Sequence, residues 1–337
     1  MTKISHSRPG GLVTSAGAPQ KPGKWSRTWP LLIGLMVTLS LVTASLFIGV
    51  YDLSSEGGRE MFFVTRVPRT ISLILSGASM AVAGLIMQLM TQNRFVEPST
   101  TGTIEWAGLG LILTYVVVPQ PSLMLRMIVA IVFSLVGTLI FFAFLQRVAL
   151  KSSLVVPIVG LMLGAVVGSV STFVALQTDM LQNLGIWFAG SFTGVTRGRY
   201  ELLWIVAVMT VVVYFIADRF TVAGLGEEIA TSVGLNYRAV VLTGILIVAV
   251  TTGVVSVVVG SLPFLGLVVP NIVSMFRGDN LRTNLPWVLM VGIVVITLTD
   301  IIGRTIIMPF EIPVSMILGV LGATVFVYLI VRRGRRG

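Results

Sequence analysis

The stretch AVVLTGILIVAVTTGVVSVVVGSLPFLGLVVPNIVSMF, residues 239–276, runs for 38 residues without a charged side chain. A single helix of that length would extend about 57 Å at 1.5 Å per residue, whereas the hydrocarbon core of a bilayer is about 30 Å thick. The segment must therefore be broken, and Gly260-Ser261-Leu262-Pro263 is the natural break because Gly and Pro interrupt helices. The stretch predicts two consecutive membrane spans.

The whole chain has the composition of a membrane protein. Of its 337 residues, 55% are hydrophobic and only 11% are charged, whereas soluble domains carry about 25% charged residues. Cysteine is absent and the one histidine, His6, lies in a polar tail, which excludes disulfides, thiol chemistry and imidazole chemistry within the membrane. The net charge of +10 indicates Lys and Arg in cytoplasmic loops, and no nucleic acid partner is expected.

The charge-free runs predict an all-α polytopic membrane protein with about ten transmembrane helices, packed into a compact bundle through small residues. The predicted spans lie near residues 30–50, 68–92, 103–119, 124–145, 153–177, 200–217, 238–258, 264–276, 285–303 and 312–331. Residues 180–196 are too polar and too rich in glycine for a span, so we expect a short re-entrant or interfacial helix there. Residues 1–29 predict a disordered basic cytoplasmic tail.

The distribution of cations predicts the orientation. Ten spans place both termini on one side, and with the N-terminus inside, most of the 23 Lys and Arg residues fall in cytoplasmic segments. Cytoplasmic loops carry an excess of Lys and Arg. Both termini are therefore predicted to be cytoplasmic.

One polar segment interrupts the apolar chain between two predicted spans. It reads LGEEIATSVGL, residues 225–235, with paired acids at Glu227 and Glu228 and glycines at Gly226 and Gly234. Acids in a first turn stabilise a helix N-terminus, and glycine permits sharp entry and exit. The segment predicts a short cytoplasmic helix with an acidic start.

Two further motifs carry a resemblance to a known family. The first consists of RVPRT at residues 66–70, LSGASMAVAG at 75–84 and NRFVEP at 93–98, and the second is GSLPFLGLVVPNI at 260–272. Together with the polar segment, over about residues 60–335, they resemble the membrane permeases of type II ABC importers for iron-siderophores and cobalamin. Residues 30–337 would then form the permease domain, with a cytoplasmic coupling loop at about 218–238.

The resemblance implies a multi-pass protein of the bacterial plasma membrane, with ten helices per subunit and a central pathway between two permease subunits. It implies two ATPase subunits, which bind ATP and Mg, and a substrate-binding lipoprotein or periplasmic protein. This chain would be a non-catalytic subunit, without cofactor or metal, that admits an iron(III)-siderophore to the cytoplasm. Its sequence contains no Gly-x-x-x-x-Gly-Lys-[Ser/Thr] phosphate loop, so ATP must be hydrolysed by another subunit.

The resemblance also implies three sets of site residues. Docking of acidic residues of the binding protein is implied for Arg66, Arg69 and Arg304, since guanidinium groups bind carboxylates bidentately; the alternative is snorkelling at span ends. ATPase coupling is implied for Gly226, Glu227, Glu228, Thr231, Ser232 and Gly234, and helix capping by the two acids is compatible with it. Candidate pathway or gate residues are Gln88, Asn93, Glu105, Pro263 and Asn271.

Two acids lie in predicted spans. Asp300 precedes Arg304 by one helical turn, which predicts an internal ion pair. Glu105, near the start of the third span, either faces cytoplasmic water or lines the inner mouth of the pathway.

Departures from the family pattern bear on the substrate. Asn271 stands where the family often has His, and residues 93–98 read NRFVEP. These variants resemble the subgroup for catecholate and mixed siderophores. That subgroup often pairs two different permeases, which favours a heterodimer over a homodimer.

The alternatives to a siderophore permease are a cobalamin or haem permease. An ion-coupled secondary transporter would need a membrane-central acid, and a membrane enzyme would need catalytic His, paired Asp or an acid cluster.

Overall fold

A computed structural model describes residues 24–49, 58–147, 154–278 and 280–334, and the regular structure in these ranges is helical. The α-helices are α1 (Lys24–Phe47), α2 (Gly58–Met61), α3 (Val67–Met90), α4 (Thr103–Val117), α5 (Leu123–Arg147), α6 (Val155–Gln177), α7 (Leu181–Phe188), α8 (Trp204–Ala223), α9 (Glu227–Ser232), α10 (Tyr237–Val258), α11 (Leu265–Arg277), α12 (Leu281–Thr305) and α13 (Val314–Gly334). A π-helical turn, Phe62–Arg66, joins α2 to α3, and a 3-10 turn, Tyr200–Leu203, precedes α8.

The described helices match the predicted spans. Eight are long and apolar enough to cross a membrane, and α4 and α11 are shorter apolar helices. The predicted break is confirmed, since α10 ends at Val258 and α11 begins at Leu265. Helix α7 is the short helix expected within residues 180–196. The fold class is therefore confirmed as an all-α bundle.

The N-terminal boundary differs from the prediction. Helix α1 begins at Lys24, so the end of the predicted disordered tail is helical, while residues 1–23 lie outside the described residues. The proline at position 30 lies inside α1. The predicted coupling loop at 218–238 likewise includes the last turn of α8 and the first residues of α10. The cytoplasmic location of both termini stays a prediction.

Helix α3 occupies the centre of the bundle. In the most apolar 18 residues of the span Gly58–Met90, which includes α3, 83% of the residues are buried, against 11% for the corresponding part of α1. Helix α3 is buried because it packs against α8, α10, α11 and α12. The methionines Met80 and Met87 of α3 are completely buried in this core. They pack among apolar side chains, and Met readily fills such irregular space.

Helices α3 and α11 approach each other closely at two glycines. A Cβ atom placed on Gly84 would lie 2.1 Å from the carbonyl oxygen of Gly266, so no side chain can be accommodated there. Small residues allow such contacts between membrane helices. The two glycines thus fix how near the broken segment, α11, lies to the central helix.

The bundle has two ends, which we name by the residues that they contain. The α9 end contains α9, the end of α3 and the start of α10, which meet around one cavity. The Arg69 end contains the start of α3 and the end of α12, which are joined by ion pairs of Arg69. The predicted ATPase and docking residues lie at these two opposite ends.

Candidate functional site

Helix α9 forms an exposed acidic projection between α8 and α10. It begins after Gly226, whose φ of +106° lies in a region that favours glycine. Ala230 is fully buried and anchors the helix. The side chains predicted to take part in coupling are exposed: Glu227, Glu228, Thr231 and Ser232. The geometry therefore leaves the acidic start of α9 accessible to another protein.

The start of α9 lies directly against the end of α3. A Cβ atom on Gly226 would lie 2.7 Å from Nε2 of Gln92, the second residue after α3. A cavity of about 720 Å³ opens beside this contact and is lined by Thr91, Glu227 and Tyr237 among others. A displacement of α9 would therefore act directly on the end of α3, the central helix of the bundle.

Two of the predicted pathway residues link α3 and its following loop to α11, and a third, Asn93, makes a hydrogen bond within that loop. Gln88 Nε2 donates to the carbonyl of Gly266 at 3.2 Å. Asn271 Nδ2 donates to the carbonyl of Arg94 at 2.8 Å, and Asn93 Oδ1 accepts from the backbone N–H of Phe95 at 3.0 Å. All three side chains are buried. Gln88 and Asn93 also line a cavity of about 450 Å³ at the α9 end.

The other two predicted pathway residues lie apart from this cluster. Pro263 is partly buried in the break before α11. Glu105, in the first turn of α4, faces α6, where a Cβ atom on Gly164 would lie 3.3 Å from its Oε2. That oxygen is buried and has no hydrogen-bond partner among the described residues. The pathway role of both residues stays a prediction.

Sequence reasoning missed the role of Glu97. This side chain is fully buried, and its Oε1 accepts from the backbone N–H of Phe264 at 2.7 Å and from the hydroxyl of Ser99. The first N–H groups of a helix lack intrahelical partners, so the carboxylate caps the start of α11 from another part of the chain. Two features of the sequence could have indicated this role. One is the acid in NRFVEP, and the other is the need for a helix to begin within the apolar 239–276 segment, where its first N–H groups require an acceptor.

The Arg69 end contains a buried ion-pair cluster. Arg69 binds Asp300 at 2.7 Å and Glu311 at 2.8 Å, and Arg304 binds Asp300 at 2.8 Å, which confirms the pair expected between these two residues. Arg304 also donates to the carbonyl of Ile48. The cluster therefore ties α3, α12 and the loop before α13 to the end of α1.

The predicted docking arginines face inward. Arg66 and Arg304 have relative exposures of 8% and 5%, and Arg66 donates to the carbonyls of Leu46 and Phe47 at 3.1 and 2.9 Å. Arg69 is paired with the carboxylates of Asp300 and Glu311. These contacts lie within the chain, so a role of the three arginines in docking stays a prediction.

Glu311 lies outside the spans and completes the cluster. Partial burial raises the pKa of Glu311, but hydrogen bonds from Arg69 and Thr193 lower it more, so this pKa lies below its usual value. The hydroxyl of Thr193 donates to Glu311 Oε2 at 2.6 Å. Among the described residues, no group of three or more His, Cys, Asp or Glu is arranged to hold a metal ion.

A bundle of about ten apolar helices, with an acidic helix exposed at one end between two spans, has the architecture of a membrane transport protein. The model of the FecCD transport family matches residues 30–332, and the chain belongs to this family of ABC transporter permease subunits.

Individual relatives extend over nearly the whole chain. It is 57% identical to the petrobactin import system permease protein FatD of Bacillus anthracis, covering 91% of this chain and 92% of that protein. It is 41% identical to the petrobactin import system permease protein YclN of Bacillus subtilis, covering 88% and 96%. A solved structure described as an inward-facing metal-chelate type ABC transporter shares the fold, with a TM-score of 0.78 and 22% identity over 90% of this chain and 99% of that one.

Proposed function

We propose that this chain is the permease subunit of an ATP-driven importer that moves an iron(III)-siderophore of catecholate or mixed type from its binding protein into the cytoplasm. The observation that carries the proposal is the exposed helix α9, whose acidic start lies on the end of the central helix α3. Relatives named as petrobactin import permeases support the substrate class. Petrobactin is therefore the first chelate to test.

The contacts suggest a route by which ATP-driven motion reaches the bundle. The route begins at Gly226 of α9, which packs on Gln92 after α3. It continues through Gln88, which donates to the carbonyl of Gly266 in α11. Helix α11 and the break before it would move with α3 because their backbones are in contact at Gly84 and Gly266.

The partners follow from the same proposal. Two ATPase subunits would bind at the α9 end, and ATP and Mg would be held by them, while this chain would bind no cofactor and catalyse no reaction. A substrate-binding lipoprotein or periplasmic protein would dock at the Arg69 end. A second permease subunit, a different chain rather than a second copy, would complete the pathway.

Uptake of radioactive iron tests the substrate class. Deletion of the gene should abolish uptake of iron-loaded petrobactin or another catecholate or mixed siderophore, and the wild-type chain should restore it. A ferric hydroxamate serves as the control whose uptake should not change. Undiminished uptake of every catecholate and mixed siderophore would overturn the proposal, and a selective loss of cobalamin or haem uptake would establish the alternative substrate.

A further inference from the structure

A cationic cavity opens at the Arg69 end, between α4, α5, α7 and the end of α10. Its volume is about 310 Å³, the lower end of the range for small-molecule sites. The lining includes the arginines Arg126 and Arg199, the aromatic side chains Tyr115 and Trp187 and the hydroxyl of Ser191. The described residues contribute no carboxylate to it. The cavity therefore combines positive charge with aromatic surface.

Arg126 has hydrogen-bonding capacity that the described part of the chain does not satisfy. Its Nη1 donates to the hydroxyl of Tyr115 at 2.7 Å, and its guanidinium carbon lies 5.6 Å from the centroid of that ring. The Nε atom is buried and has no hydrogen-bond partner among the described residues. These residues also form no ion pair with Arg126. Buried donors are normally satisfied, so the described part of the chain leaves this guanidinium incompletely hydrogen-bonded.

The aromatic wall of the cavity is already ordered. Tyr115 and Trp187 stack with ring centroids 4.6 Å apart and an interplanar angle of 20°. Arg199, which also lines the cavity, is exposed. Among the described residues, its side chain makes one long hydrogen bond, 3.4 Å, to the carbonyl of Gly194. A planar ligand could therefore pack on the aromatic pair while two guanidinium groups bind its oxygens, the geometry in which Arg binds carboxylates well.

We propose that this cavity binds one anionic aromatic arm, a catecholate or aromatic carboxylate, of the transported chelate as it leaves the binding protein. The inference rests on the proposed function. The volume suits one arm rather than a whole ferric chelate, and Arg126 and Arg199 neutralise its charge. The cavity lies next to the ion-pair cluster because Thr193, which also lines it, donates to Glu311.

Binding of a fragment tests the site without transport. The probe is 3,4-dihydroxybenzoate, measured by saturation-transfer NMR on the chain in phosphatidylcholine nanodiscs. Arg126→Gln should weaken binding about tenfold, equivalent to about 1.4 kcal/mol, and Arg126→Lys should weaken it less. The neutral 3,4-dihydroxybenzamide should bind at least about tenfold more weakly than the anion, by the same conversion.

Matched variants separate the cavity from general charge effects. Arg199→Gln changes an exposed residue, so it keeps the test decisive even where Arg126→Gln does not fold. Arg197→Gln removes an exposed arginine of the same loop that does not line the cavity, and it should leave probe binding unchanged. Equal binding of the probe by the wild-type chain, Arg126→Gln and Arg199→Gln would overturn the inference.

Two further outcomes are distinguishable. Displacement of the probe by phosphatidylglycerol in the nanodisc would assign the cavity to a lipid headgroup and overturn the inference. In reconstituted transporter, the Arg126 and Arg199 variants should raise the KM for the ferric catecholate more than they lower kcat. If the wild-type transporter imports no siderophore, the proposed function fails, while probe binding still decides whether the cavity takes an aromatic anion.

Discussion

Glu97 Oε1 accepts the backbone N–H of Phe264, 167 positions further along the chain, at 2.7 Å and so caps the start of helix α11. Helix α11 begins there, after a break between two spans. An exposed helix start would bond to water, but this one is buried, so the chain must supply the acceptor itself. Glu97 therefore makes the broken segment compatible with the interior of the bundle.

Replacing Glu97 should destabilise the bundle according to how much of the acceptor is lost. Glu97→Ala leaves a buried backbone donor unsatisfied and should lower the free energy of unfolding by about 1–3 kcal/mol. Glu97→Gln retains a carbonyl oxygen and should lose less. Thermal unfolding in detergent measures both, with the exposed Glu60→Ala as the control. Equal stability of the Ala and Gln variants would show that Glu97 does not stabilise the fold by capping α11.

Adding one methyl group at Gly84 should separate α3 from α11. A Cβ atom there would lie 2.1 Å from the carbonyl oxygen of Gly266, and overpacking of this kind costs about 1–3 kcal/mol, sometimes more. The expected result for Gly84→Ala is a lower unfolding midpoint and reduced uptake. The matched control is Gly168→Ala in α6, where the added atom meets nothing within 4 Å. A similar midpoint for both variants would contradict the close contact.

The spans were predictable because the bilayer imposes a strong local rule. A run of apolar residues must be about 20 long to cross the membrane, and the Gly260–Pro263 break followed from the excessive length of the 239–276 stretch. The short helix at 181–188 followed from its polar residues and glycines. These inferences need only the sequence of one segment at a time.

The contacts within the sites were not predictable in this way. The motifs imply docking roles for Arg66 and Arg304, but nothing in their local sequence shows that carbonyls at the end of α1 would accept hydrogen bonds from them. Asp300 was expected to pair with Arg304 because the two share a helix face, whereas its second partner, Arg69, lies in another helix. Local spacing predicts pairs within one helix and gives no information about pairs between helices.

The ion pair of Glu311 should make stability depend on pH in the acidic range. The pKa of Glu311 is lower in the folded chain than its usual value, so its stabilising contribution is present at neutral pH and is lost as the pH falls through the folded-state pKa. Glu311→Gln should cost about 2 kcal/mol near pH 7 and nothing in strong acid. Thr193→Val removes one donor to this carboxylate and should shift the loss to higher pH. A pH-independent difference between wild type and Glu311→Gln would contradict this assignment.

The double substitution of Glu227 and Glu228 by Ala should uncouple the chain from its ATPase. Both side chains are exposed, so membrane insertion and the unfolding midpoint should not change. Association with the ATPase subunits should weaken about tenfold or more, the effect of about 1.4 kcal/mol, and uptake should fall with it. Co-purification and ATP hydrolysis in reconstituted transporter measure this, with Glu60→Ala as the control. Wild-type hydrolysis and uptake would show that α9 does not couple through its acids.

Docking of the binding protein can be separated from folding by the choice of arginine. Reversal of Arg304 to Glu places a second carboxylate beside buried Asp300 and should unfold the chain as well as reduce substrate delivery. Arg59 and Arg197 are exposed at the same end, so their reversal to Glu should keep the fold but slow association, with a strong dependence on salt. Interferometry between nanodiscs and the loaded binding protein measures this, and Arg147→Glu at the α9 end is the control. If Arg59→Glu and Arg197→Glu bind as Arg147→Glu does, Arg59 and Arg197 take no part in docking and this prediction is wrong.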